Sequence, residues 1–200
     1  MILVLLLLFF VTLILALFYG SMLGTLWSEA PFVPTGRRDL KRMINLVAIK
    51  PGEMVYDLGS GDGRIVRAAA RLGAKAVGYE KSLPMVWWSK MLAYNVARHF
   101  MCRHAGDEAH QSRDWCGAGK LPRYNARFVR ANYLKQDLSD ADVVFCYLMP
   151  KAMEHLKPKF EKELQPGTRI ISRAFSIPGW KAEIFRFSKR SPPVYFYIKR

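Results

Sequence analysis

The first 28 residues carry no charged side chain, and all 31 Lys and Arg and all 16 Asp and Glu of this 200-residue chain come after them. Met1–Trp27 reads MILVLLLLFFVTLILALFYGSMLGTLW. That run exceeds the roughly 20 apolar residues a helix needs to cross a bilayer core. We therefore expect a transmembrane anchor over residues 1–28. A secretory signal peptide is the rival reading, but its positively charged start is missing, and the run is longer than the usual apolar region of about 7 to 15 residues. Arg37, Arg38, Lys41 and Arg42 lie just beyond the span, with only the terminal amine before it. This asymmetry predicts a single-pass membrane protein whose C-terminal part faces the cytoplasm. Ala16, Gly20, Gly24 and Ser28 recur every fourth residue, a ridge of small side chains that would let two such helices approach closely as a dimer.

The rest of the chain carries the whole net charge of +15. Two kinds of partner suit it, an anionic membrane surface or a nucleic acid. An anchored chain favours the first, because each basic group near anionic lipid gains about 1 kcal/mol. No Arg-rich tail or aromatic-basic RNA-binding signature accompanies the charge, which makes nucleic acid the weaker reading while leaving it open. With 51% hydrophobic residues the chain can bury a core, which excludes disordered and fibrous classes. Three cysteines without a C-x-x-C pair argue against a disulfide framework. Cys102, His104, His110 and Cys116 fall close together, but their spacing matches no zinc pattern, so we read an insertion and expect no metal.

Pro31, Pro34 and Gly36 mark a linker, and apolar residues at helical spacing predict a helix from Arg37 to Ile49, so residues 29–50 lead into a domain over 51–200. Within it, strands are expected at Glu53–Leu58, Ala74–Tyr79, Ala126–Asn132, Asp142–Leu148 and Thr168–Phe175. Helices are expected at Arg64–Leu72, Leu83–Phe100 and Ala152–Leu164, with a polar loop over Met101–Tyr124. Such alternation implies an α/β fold with a parallel sheet covered on both faces. Ala182–Phe187 and Val194–Ile198 lack an intervening helix and should form an antiparallel pair at the sheet edge.

Chemistry concentrates in Asp57-Leu58-Gly59-Ser60-Gly61-Asp62-Gly63-Arg64, at a strand-to-helix junction where an α/β sheet opens its ligand crevice. The spacing is G-x-G-x-G. A dinucleotide fingerprint would need glycine at Arg64, and no Walker A loop is present. Asp57 would repel a pyrophosphate and attract a cationic amino-acid head. Glu80 ends the second strand, where a carboxylate can accept both hydroxyls of a ribose. Asp62 suits either a cofactor contact or the N-terminal end of a helix dipole.

At these residues the chain resembles the class I S-adenosylmethionine (SAM) dependent methyltransferases. The resemblance implies a Rossmann-like seven-strand sheet with the antiparallel C-terminal strand pair. It also implies that Gly59, Ser60, Gly61, Asp62 and Gly63 line the cofactor, that Asp57 lies near its methionine part, and that Glu80 holds its ribose. At the third strand's end, where an acid is common in that family, Asn132 joins the cofactor-binding set. A narrower resemblance rests on the apolar N-terminus, PFVPT, DLGSGDGR, GYE before a Trp-containing helix, and RIISRAFSIPGW. These look like the membrane-anchored lysine methyltransferases of the ATP synthase c-subunit and the adenine nucleotide translocase, and imply methyl transfer to a lysine of a membrane-associated protein. Two other readings stand beside it, a methyltransferase for a lipid or small membrane-localised acceptor and a SAM-binding module without catalysis.

The fourth strand ends in Phe145-Cys146-Tyr147-Leu148-Met149-Pro150, near where the methyl group should emerge. Tyr147 is the catalytic candidate, shaping an amine channel, with a core or rim aromatic as its alternative. The segment lacks the N/D-P-P-Y/F motif of base-amine methyltransferases, and Cys146 reads as a small buried hydrophobe. Trp87 and Trp88 suit either packing or a flank to the adenine, with packing favoured for at least one. Arg173, Phe175 and Trp180 belong to the RAFSIPGW segment without an assigned role, Arg173 being suited to pairing with a carboxylate.

Overall fold

Short apolar runs bounded by turn residues pair into one seven-strand sheet in this computed structural model, which describes residues 2–26, 34–104, 124–189 and 191–200, with side chains described at all of these except 17–18, 21–26 and 97–104. Helix α1 covers Ile2–Leu26 and helix α2 Arg37–Val47. Then follow β1 (Met54–Leu58), α3 (Arg64–Arg71), β2 (Lys75–Glu80), α4 (Leu83–His104), β3 (Asn125–Arg130), β4 (Val143–Cys146), α5 (Pro150–Glu163), β5 (Arg169–Arg173), β6 (Glu183–Phe185) and β7 (Val194–Ile198). The strand order is β3-β2-β1-β4-β5-β7-β6. The first five strands of that order run parallel, and β7 pairs antiparallel with both β5 and β6. The sequence reading of an α/β sheet with an antiparallel terminal pair is the observed architecture.

Each face of the sheet has its own core. One gathers Leu58, Val144, Leu148, Met153, Leu156, Phe160 and Ile170, under α5. The other gathers Met43, Val47, Val55, Ile65, Val66, Ala69, Phe128, Phe145 and Ile171, under α2, α3 and α4. Strands covered on both sides have no polar face, which is why VVFC and MVYDL are nearly continuous apolar runs. Asp57 is the exception in β1, and it marks the crevice. From β1 the chain winds through α3 to β2 on one side, whereas β4 lies on the other, so the loops after β1 and β4 part at a topological switch point.

Helix α4 continues through His104, past the expected end at Phe100, so the loop begins later than Met101. A 3-10 turn at Tyr133–Lys135, not foreseen, follows β3, and β6 is shorter than the expected Ala182–Phe187. The fold gives no support to the expectation that at least one of Trp87 and Trp88 packs in the core: both are exposed, at 66% and 47%, because α4 presents Val86, Ser89 and Ala93 to the sheet instead.

The side chains of Cys102, His104, His110 and Cys116, and the loop residues 105–123, lie outside the described residues, as does Ser28 of the small-residue ridge. Among the described residues no group of three or more His, Cys, Asp or Glu is placed to hold a metal ion. Among them, too, no helix is long and apolar enough to cross a membrane, so the anchor expected over 1–28 gains no support there. Side chains in α1 are described without a break only over residues 2–16, about 22 Å of helix at 1.5 Å per residue.

Candidate active site

Strand β1 delivers Asp57 to the crevice between Gly78 of β2 and Phe145 of β4, its partners in the sheet. The residue is buried, at 4% exposure. Burial, then the negative charges of Glu80 and Asp62, push its carboxyl up to about 8. A buried carboxyl whose charged neighbours are acids is prepared for a cationic group brought in from outside.

The loop after β1 is tied to the end of β2. The N–H groups of Gly59 and Ser60 donate to the Tyr79 carbonyl at 2.9 and 3.0 Å, and Gly63 N–H donates to the Ser60 carbonyl at 2.8 Å. Glu80 uses both carboxylate oxygens. Its Oε2 accepts from Gly61 N–H at 3.0 Å and its Oε1 from Ser82 N–H at 2.8 Å, joining the loop to the start of α4. Gly63 has φ +74°, and a Cβ there would run into the Phe128 ring. Gly78, which the sequence reading did not single out, is as constrained: a Cβ on it would lie 2.7 Å from both Cβ and Oγ of Ser60. A glycine in mid-strand marks close backbone approach and was the available signal. Ser60 Oγ, buried beside it, has no hydrogen-bond partner among the described residues.

Asp62 is occupied. Its carboxylate accepts from the Arg64 guanidinium at 2.8 Å (Nη2) and 3.0 Å (Nε), and from Arg64 N–H at 3.2 Å. Burial raises its pKa, but the hydrogen bonds and charge of Arg64 prevail and hold it below the usual carboxylate value. Arg64 also donates to the carbonyl of buried Thr35, tying the segment before α2 to the loop. Asn132 caps the 3-10 turn, its Oδ1 accepting from Leu134 N–H at 3.1 Å. It stands next to Ala131, whose N–H donates to the Glu80 carbonyl at 3.0 Å. The structure thus brings Asp57, Gly59, Ser60, Gly61, Asp62, Gly63, Glu80 and Asn132 to the C-terminal ends of three adjacent strands.

Tyr147 follows β4, and the Arg173 guanidinium lies 5.4 Å from its ring centroid. Arg173 ends β5, is 6% exposed and forms an ion pair with Asp39 of α2 at 2.9 Å. This is the carboxylate partner the sequence suggested without naming. Cys146 is a poor nucleophile: burial pushes its thiol up to about 12, and Sγ donates to the Ile171 carbonyl at 3.4 Å.

Among the described residues the crevice brings together a buried acid beside two other carboxylates, a buried Ser60 hydroxyl without a hydrogen-bond partner, and a carboxylate at the end of β2. That donor set fits a ligand with a cationic amino-acid end and a ribose, and gives a phosphate no cationic cradle. The sequence profile of the ANTKMT methyltransferase domain matches residues 57–184. A protein-lysine N-methyltransferase of Saccharolobus islandicus (strain REY15A) is 33% identical over 175 residues, covering 85% of this chain and 94% of that protein. The lysine N-methyltransferase of the ATP synthase c-subunit from Homo sapiens is 31% identical over 150 residues, 75% of this chain and 54% of its own length. Among solved structures, an RNA methyltransferase from Salinibacter ruber in complex with S-adenosyl-L-homocysteine superposes with a TM-score of 0.67 at 28% identity, covering 83% of this chain and 93% of that one.

Proposed function

Because this chain belongs to the family of the ANTKMT methyltransferase domain, we propose that it transfers a methyl group from SAM to the side-chain amine of a lysine in a protein. The observation that carries the reading is Asp57, buried among acids at the mouth of a G-x-G-x-G loop, in a chain one-third identical over most of its length to a protein-lysine N-methyltransferase. When bound, SAM supplies a methyl group on a positively charged sulfur. Asp57 would face its cationic methionine part and Ser60 Oγ would take one of its polar atoms, while Gly59, Gly61 and Gly63 would allow close approach of the backbone. Glu80 would hold the ribose hydroxyls and Asn132, at the end of the neighbouring strand, would belong to the same cofactor-binding set. Asp62 acts through Arg64, holding the loop in shape.

On the acceptor side, the lysine amine must lose its proton before its lone pair can attack. With a free pKa near 10.4, that loss is favoured by removal from water beside Tyr147. The amine's proton would pass to water and the C–S electron pair would stay with sulfur as the methyl group is taken up by nitrogen, with Asp57, Glu80 and the glycine loop holding the donor and Tyr147 beside the acceptor. The residues contribute orientation and exclusion of water.

We extend the proposal to the membrane. Helix α1 is a 25-residue element without charge, and its described large apolar side chains are 41–82% exposed. At about 1.5 Å per residue the 25-residue element would measure about 37 Å against a bilayer core of about 30 Å, and this length supports the anchor reading. Arg37, Arg38, Lys41 and Arg42 support a catalytic domain on the cytoplasmic side, and the ridge of Ala16, Gly20, Gly24 and Ser28 would let two copies approach.

Two observations favour a second acceptor class, RNA: the net charge of +15 and the likeness to a structure described as an RNA methyltransferase. Incubating the detergent-solubilised chain with radiolabelled SAM and membranes from a strain lacking it, beside a Glu80→Ala control, separates the readings. Label in a discrete protein band that vanishes in the control supports the proposal. Label in RNA or lipid replaces the acceptor, and SAM binding without label points to a module that does not turn over.

A further inference from the structure

We propose that Asp39 and Arg173 form a positioning pair that fixes the Tyr147 ring at the acceptor wall, which makes α2 a working part of the active site. The inference rests on the lysine-transfer reading above. Sheet register sets the geometry: β1 and β4 align Leu58 with Cys146, and β4 and β5 align Cys146 with Ser172. The next residues, Gly59, Tyr147 and Arg173, therefore leave three neighbouring strand ends in a row. Tyr147 stands between the cofactor loop and the arginine.

Arg173 is held from several sides. Its Nη2 donates to Asp39 Oδ2 at 2.9 Å, with the two side chains only 7% and 13% exposed, and its Nη1 lies 3.9 Å from Met43 Sδ. Its Nε is buried without a hydrogen-bond partner among the described residues. A guanidinium taken from water with one donor unmet is costly, and α2 needs no such group to dock, because Met43, Ile44 and Val47 already bury its inner face. Backbone strain sits at the same place. Ala174 has φ +70°, a left-handed conformation unfavourable for a residue with a Cβ, and its N–H donates to the Pro193 carbonyl at 2.8 Å. Strain and an unmet buried donor beside a candidate site point to a working role. The guanidinium over its ring opposes a swing of Tyr147 away from the end of β5, and the side chain that holds Arg173 there comes from α2.

The test uses the full chain, membranes from a strain lacking it as acceptor, and fluorotyrosine labelling to follow the Tyr147 resonance. Arg173→Met and Asp39→Asn should each lower kcat by about tenfold, the worth of a desolvated cation–π contact of between about 1 and 2 kcal/mol. Calorimetric affinity for S-adenosylhomocysteine, and KM for the membranes, should change less than about threefold, well below that loss. Arg173→Lys should recover part of the rate. In a Tyr147→Leu background, Arg173→Met should cost less than about twofold, because two residues acting as one unit are not additive. Asp39→Asn/Tyr147→Leu gives the same cycle where Arg173→Met does not fold. Full additivity, with an unmoved fluorine signal in Asp39→Asn, overturns the pair. A wild-type chain that methylates no protein, while the fluorine signal still moves, overturns the acceptor reading and leaves the positioning standing.

Discussion

Lowering the pH should weaken cofactor binding through Asp57. With its carboxyl at about 8, Asp57 is about nine-tenths protonated at pH 7. A cationic ligand head favours the carboxylate, so binding must expel that proton. Affinity for S-adenosylhomocysteine should therefore rise about tenfold per pH unit between roughly pH 6 and 7.5, where the ligand's own amine stays largely protonated. Calorimetry in buffers of different ionisation enthalpy should show release of close to one proton near pH 7. Asp57→Asn should bind more weakly, with no slope and no release. The stability of the chain itself has the opposite sense. The folded state binds more protons than the unfolded one between about pH 4 and 8, so stability falls as pH rises through that window. The loss is on the order of 5 kcal/mol at most, from a shift of roughly four units at 1.36 kcal/mol each, and Asp57→Asn should remove it. Wild-type binding that is flat with pH, or an Asn variant that keeps the slope, would refute the reasoning.

Other consequences follow from the same geometry. Glu80→Gln keeps the shape but loses charge-assisted contacts worth about 1.5–3 kcal/mol, so calorimetric affinity for S-adenosylhomocysteine should drop between about tenfold and a hundredfold. Gly78→Ala should push Ser60 away and weaken the same affinity while leaving most of the stability, whereas Gly63→Ala, blocked by Phe128 at a positive φ, should lower both, by at least about 1 kcal/mol in denaturant unfolding. In a Cys102→Ser/Cys116→Ser background the remaining Cys146 should resist an aromatic disulfide reagent at mildly alkaline pH until the chain is denatured, and rapid native labelling would contradict its burial.

The sheet was legible because its strands are short, apolar and separated by Gly and Pro turns, and the crevice because Asp57, the glycines and Glu80 lie within two strand ends of one another. Asp39 was not legible. It meets Arg173 across 134 positions of chain, a contact that only the docking of α2 on β5 creates. Gly78 carried a signal in its mid-strand place, and the periodicity of α4 left open which side its two tryptophans take. The reach of α4 to His104 is hidden in the sequence because its last turn runs into polar residues that read as loop. Asp62 suited either a ligand contact or the helix dipole and Asn132 a ligand contact, and their partners, the Arg64 guanidinium and the Leu134 N–H, are local contacts that type and spacing do not reveal.

The most direct test of methyl transfer to a protein lysine is amino-acid analysis of the labelled product. The protein fraction from the radiolabelled reaction is hydrolysed and its labelled residue identified against standards. The account predicts Nε-methylated lysine, absent with Glu80→Ala. A labelled nucleoside, a labelled lipid headgroup, or label on another amino acid would contradict it.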